Sequence, residues 1–175
     1  MATVYMETNR QEIERIQHEF AATQKQVNRA GWRAVRKLAR WVRSTALRET
    51  ARDTGIKRKV LSHRLLLYTR GGHQSARVWF GMNALPLSVL DPRQTATGVT
   101  AGPAERRHAF IVPRGGTTQV YRRVHRDERL PLAVQYHAIE DEMQRVLQAD
   151  ISPRFARMFS KYFEQELRWE VSKAR

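Results

Sequence analysis

Ile13, Ile16, Phe20, Val27, Ala34, Leu38, Trp41 and Thr45 recur at the helical period, which stacks them along one face of a long amphipathic α-helix. Thr8 or Asn9, with Glu12 shortly after, supplies the signal for its start. Gly31 sits inside the pattern, where glycine costs about 1 kcal/mol relative to alanine and marks either a kink or the close approach of another backbone. The pattern stops at Asp53-Thr54-Gly55, where glycine can take up the left-handed conformation that closes many helices.

Beyond Gly55 the period changes. Ile56-Lys57-Arg58-Lys59-Val60-Leu61 suits one or two helical turns, with Ile56, Val60 and Leu61 as packing anchors. Arg64 to Arg70 and Ala76 to Met82 flank Gly71-Gly72 and predict a β-hairpin. A second hairpin is expected from His108 to Val112 and Gln119 to Val124, turned by Pro113-Arg114-Gly115-Gly116. Between the hairpins a long loop, about 83–107, is rich in Pro, Gly, Thr and Ala, and loops above roughly 12–15 residues are uncommon unless functional or disordered. Leu85, Leu87, Val89 and Leu90 are costly to leave in water, so this part should dock on the sheet or on a neighbouring subunit. Thr95 to Ala104 should be mobile.

Leu132 to Ala138 alternates as a final strand. Ile139, Met143, Val146 and Leu147 then form a helical stripe, Ser152-Pro153 sets a cap, and Phe155, Met158, Phe159, Tyr162, Phe163, Leu167 and Val171 continue on one face. The fold class predicted is α+β: a long N-terminal helix and a C-terminal helix packed on a small antiparallel sheet. With 175 residues, one domain over 1–175 is expected.

The chain carries a formal net charge of +15 and a pI near 11.2, which attracts polyanions and repels like copies. Much of that charge lies on the second half of the long helix, in Arg29, Arg33, Arg36, Lys37, Arg40, Arg43, Arg48 and Arg52. Two readings stay open: a solvated outer face, or a contact with DNA or an acidic ring partner, for which Arg33, Arg36, Lys37, Arg40, Arg43, Lys57, Arg58 and Lys59 are the candidates. Any DNA contact would be independent of sequence and weaken steeply with salt.

No catalytic residues, cofactor-binding residues or metal ligands are expected. The chain has no cysteine, and its six histidines fall on separate predicted elements, so zinc-motif spacing and thiol chemistry are absent. Glu140-Asp141-Glu142 is explained by the positive end of a helix dipole, and the Gly-Gly pairs lack the spacing and Lys-Ser or Lys-Thr of phosphate loops. Met1 to Arg10 lacks a signal-peptide apolar stretch, and no later run nears the roughly 18–20 apolar residues of a membrane span. A soluble chain made in the cytoplasm, with no membrane partner, is the expectation.

The element order, with Arg77-Val78-Trp79-Phe80-Gly81-Met82-Asn83, Leu85-Pro86-Leu87, His108-Ala109-Phe110-Ile111-Val112, and Val120-Tyr121-Arg122-Arg123 leading to Leu130-Pro131-Leu132, resembles the minor tail protein Z family of tailed phages and prophages. The resemblance extends over most of the chain. It implies a structural, non-enzymatic role in tail completion at the head-proximal end of a long non-contractile tail, near the head-to-tail junction. It also implies a homo-oligomeric ring, hexameric in related tail-completion proteins, beside other tail and head-tail connector proteins, with phage DNA as a further candidate partner. Such a protein is expected in the virion tail, and in the host cytoplasm during assembly. A closed ring requires two different patches of each subunit to meet, and Leu85 to Leu90 with the ends of the long helix are the expected interface. The competing readings are a free, nonspecific DNA-binding protein and a nuclease.

Overall fold

The computed structural model describes residues 10–69, 75–114, 116–125 and 127–173, and in it the long helical pattern becomes two helices, α1 (Arg10–Glu19) and α2 (Gln24–Thr54). The cause of the break is local. Thr23 is extended (φ −71°, ψ 154°) and forms a capping box with Gln26: Thr23 Oγ1 accepts from the Gln26 N–H at 3.4 Å, and Gln26 Oε1 accepts from the Thr23 N–H at 2.8 Å. Such a cap is worth about 1 kcal/mol. The Thr8 or Asn9 start lies outside the described residues.

α2 runs through Gly31 unbroken. The glycine marks neither a kink nor the close approach of a backbone: a Cβ there would make an ordinary van der Waals contact, 3.9 Å from Phe163 Cε2 of the C-terminal helix. α2 spans 31 residues, about 46 Å at the helical rise. It ends as expected at Gly55, whose φ of 68° lets its N–H donate to the Ala51 carbonyl. Thr54 Oγ1 adds to the closure by donating to the Thr50 carbonyl at 2.6 Å and accepting from the Ile56 N–H at 3.2 Å.

After α3 (Arg58–Ser62), β1 (Leu65–Thr69) pairs antiparallel with β2 (Ala76–Phe80), with Leu65 opposite Phe80. Gly71-Gly72 lies outside the described residues. The second hairpin joins β7 (Ala109–Arg114) to β8 (Thr117–Arg123), with Ile111 opposite Val120. Pro113 belongs to the strand and not to the turn; it is tolerated because β7 is an edge strand.

The region between the hairpins corrects the expectation of a mobile loop. β3 (Leu85–Pro86) and a single 3₁₀ turn (Leu87–Val89) lead into β4 (Arg93–Gln94), β5 (Gly98–Ala101) and β6 (Ala104–Arg107), and the last three form an antiparallel sheet of their own. Val99, Ala101 and Ala104 are buried. The Gln94 amide ties this sheet to β7 as a backbone would, accepting from the Ile111 N–H at 3.0 Å and donating to the Ala109 carbonyl at 3.3 Å.

The final strand is two strands. β9 (Leu132–Val134) pairs with β8 and β10 (Tyr136–His137) pairs with β3. Buried Gln135 is the switch: its N–H donates to the Val120 carbonyl at 2.9 Å, and its carbonyl accepts from Leu87 at 3.0 Å. Alternation along one strand therefore serves two different sheets.

α4 (Glu140–Arg145) continues through a π-helical turn (Val146–Ile151) into α5 (Ser152–Ser172). Ser152 does not cap; it has helical dihedrals (φ −55°, ψ −47°). Pro153 lacks an N–H and crowds the carbonyl four residues earlier, and that carbonyl, of Ala149, falls inside the widened turn. The helix accommodates the proline by loosening before it.

Two apolar clusters share α2. Its first half packs with α1 and α5 around Ile16, Val27, Ala30, Ala34, Leu38, Phe159, Phe163 and Leu167. Its second half, with Val42 and Ala46, anchors the strands and α4 through Leu61, Leu65, Phe80, Leu87, Val99, Val120 and Met143. Trp41 and Phe155 pack against both clusters. The α+β class is as read from the sequence, although the strands among the described residues form four small sheets in place of one.

Candidate functional site

The basic face of α2 has to be divided between cations that hold the fold together and cations that remain available. Arg33 and Lys37 belong to the first group. Arg33 Nε lies 2.5 Å from Glu166 Oε2, its Nη2 pairs with Glu170, and its guanidinium stacks 4.2 Å from the centre of the Trp169 ring. Lys37 Nζ lies 2.5 Å from the other Glu166 oxygen. Burial pushes the Glu166 carboxyl up, but hydrogen bonds from Lys37 and Arg33 outweigh it and hold the group below its ordinary value near 4.5.

This clamp joins α2 to α5 and has a measurable pH signature. A carboxyl with a depressed folded-state pKa contributes stability that is complete above its unfolded value and disappears as pH falls through the folded one. The contribution of Glu166 should therefore begin to decline as pH falls below about 4.5. Arg33→Ala should cost about 2 kcal/mol, less than the roughly 3–5 kcal/mol of a fully buried broken pair, because Arg33 is 30% exposed and Lys37 still serves Glu166. Urea unfolding of both chains at pH 7 and pH 3.5 checks this, the gap between them narrowing at the lower pH.

The remaining candidates divide further. Arg43 Nε donates to the Leu65 carbonyl at 2.7 Å, tying α2 to the start of β1. Lys57 pairs with Asp91, whose carboxyl is held below its usual range by the hydrogen bond and charge of Lys57. Arg36 lies 5.7 Å over the Trp32 ring. Arg36, Arg40, Arg58 and Lys59 are exposed, and none has a carboxylate partner among the described residues. Sequence reasoning omitted Lys25 and, as a contact, Arg29, although both are exposed on the same helix. Arg29 reaches Glu170 only at 3.8 Å.

The expected apolar interface also changes. Leu85, Leu87 and Leu90 are 2%, 0% and 5% exposed within this single chain, so they find their cover in its own core and need none from a neighbour. Val89 alone of the four remains outside, at 43%. The apolar side chains that do face solvent lie elsewhere: Leu66 and Tyr68 on β1, Val124 and Leu130 in the connection between β8 and β9, Tyr136 on β10 and Trp169 on α5. The signal for the first two was readable, because Leu65-Leu66-Leu67-Tyr68 is an unbroken apolar run. A strand of that kind has two faces that favour cover.

No group of His, Cys, Asp and Glu residues that could hold a metal ion occurs among the described residues, and none of the helices described is long and apolar enough to cross a membrane. What the surface offers is apolar side chains on hairpins and cations on a helix, with several carboxylates already engaged inside the fold. That is the equipment of a structural assembly protein. The family model of the prophage minor tail protein Z (GPZ) matches residues 13–173, and the chain belongs to this family of phage tail proteins. No curated protein and no solved structure matches the chain.

Proposed function

We propose that the chain completes the head-proximal end of the phage tail and helps join tail to head, as a ring of identical copies whose number, by analogy with related tail-completion proteins, is six. Its role there is non-enzymatic, and its neighbours are further copies of itself, other tail proteins and the head-tail connector. The observation that carries this reading is the exposure of apolar residues at two dissimilar places, Leu66 and Tyr68 on β1 and Val124 and Leu130 beyond β8. A heterologous interface brings two different patches together, and closes into a ring when the rotation between subunits allows. Val89, exposed beside neither patch in sequence, is a third candidate contact.

Imaging of purified virions carrying a tagged chain tests the placement. Label is expected at the tail end next to the head, with six copies per particle by quantitative mass spectrometry. Label along the tube or at the distal tip would exclude a completion role while leaving the chain a tail protein.

A further inference from the structure

We propose that the outward face of α2 is a contact for duplex DNA, made by Lys25, Arg29, Arg36 and Arg40 through phosphate charge alone. At 3.6 residues per turn these four positions fall within a sector of roughly 60° and extend over about 22 Å of helix. All four are exposed. The helix carries no carboxylate ahead of Glu49, so nothing on it interrupts the positive field.

The ion pairs made to buried Glu166 and Glu170 make that face more uniform. Glu166 and Glu170 lie beside it on α5, and uncompensated they would repel a phosphate backbone. Arg33 and Lys37 neutralise them in place, which leaves Arg36 and Arg40 unopposed. Arg36 also lies over the Trp32 ring at 5.7 Å, a cation–π contact that leaves its in-plane N–H donors available to phosphate oxygens.

Charge balance chooses between partners. Glu49, Asp53, Asp91, Glu166 and Glu170 are all paired with the chain's own bases, and the chain as a whole remains at +15. A second copy therefore meets this face with net repulsion. A protein with scattered carboxylates answers only some of four cations in a row, whereas duplex DNA presents a charge about every 1.7 Å of its axis and answers them all without any particular register.

The test uses the isolated chain, a fluorescent duplex of about 25 base pairs with arbitrary sequence, and a salt series read by anisotropy. Four phosphate contacts predict that log K falls with log salt at a slope of about −4. Arg36→Gln combined with Arg40→Gln should flatten the slope by about 2 and weaken binding about 50-fold at 0.1 M salt, equally for unrelated sequences. Arg122→Gln combined with Arg123→Gln removes the same charge from β8, away from the helix, and should leave the slope within about 0.5 of the parent. Thermal midpoints of both variants should match the parent, since none of the four residues has a carboxylate partner among the described residues.

Three results would overturn the proposal: no duplex binding at low salt, equal losses in the two double variants, or displacement of the duplex by polyglutamate at equal charge concentration. The last would identify the partner as an acidic protein. None of these depends on where the chain sits in the tail, so the placement and the DNA contact can fail separately.

Discussion

Leu87→Asp should yield no folded chain, whereas Val89→Asp, two residues further on, should fold like the parent. Leu87 is fully buried among Leu85, Leu90, Val99 and Val120 in the larger apolar cluster, and its N–H is committed to the Gln135 carbonyl. A carboxylate there would give up its hydration among apolar neighbours. The cost, several kcal/mol before the lost packing is counted, is comparable with the whole stability of an ordinary domain, about 5–15 kcal/mol. Val89 is 43% exposed, where substitutions usually stay within about 0.5 kcal/mol. Soluble yield and thermal unfolding of the two isolated variants decide the matter. With a folded Val89→Asp in hand, its incorporation into virions then reports on the assembly contact alone, which the Leu87 variant can no longer do. A well-folded Leu87→Asp chain would mean that residues 85–90 do not pack where they are placed.

Gly98→Ala should cost about 3 kcal/mol, at the upper end of the overpacking range, a large effect for one methyl group. A Cβ at this position would lie 2.1 Å from the Arg106 carbonyl oxygen and 2.9 Å from the Arg107 Cα, backbone atoms of the paired strand β6. Neither can swing aside as a side-chain tip would. Gly98 is also held on its own account: its N–H donates to Thr95 Oγ1 at 3.1 Å, and its carbonyl accepts from the Thr95 N–H at 2.7 Å and from Gln94 Nε2 at 2.8 Å. The strain should open β5 from β6 and expose Val99. Chemical denaturation should show the loss, and hydrogen exchange should place it in residues 93–107. A mobile loop there would accept alanine without penalty, so an unchanged midpoint would restore the simpler picture of this region.

The apolar demand of Leu85, Leu87 and Leu90 was legible from composition, because burial is favoured in proportion to apolar area wherever the cover comes from. Whether that cover belonged to the chain or to a neighbour was not, since the covering residues Val99, Val120 and Met143 are distant in sequence. The same holds for the cations. Arg33 and Arg36 look alike in sequence, and only the packing of α5 against α2 makes the first a partner of Glu166 and leaves the second in solvent. The break after α1 differs, because Thr23-Gln24-Lys25-Gln26 carries the capping-box pattern openly and the continuous apolar stripe obscured it.

Local chemistry alone determined the α2 terminus at Gly55, the two hairpins, the amphipathic α5 and the absence of cysteine chemistry, since each depends on backbone preference or on periodicity within a few residues. Family membership was also carried by the sequence, through strand and loop residues spread along most of the chain. Tertiary structure decided the rest: the folding of residues 93–107 into a sheet, the division of 132–137 between two sheets, and the sorting of charged residues into clamps and free cations. Those outcomes depend on which distant segments come into contact, and a buried carboxylate or an orphaned carbonyl acquires its energetic consequence only once that contact has excluded water.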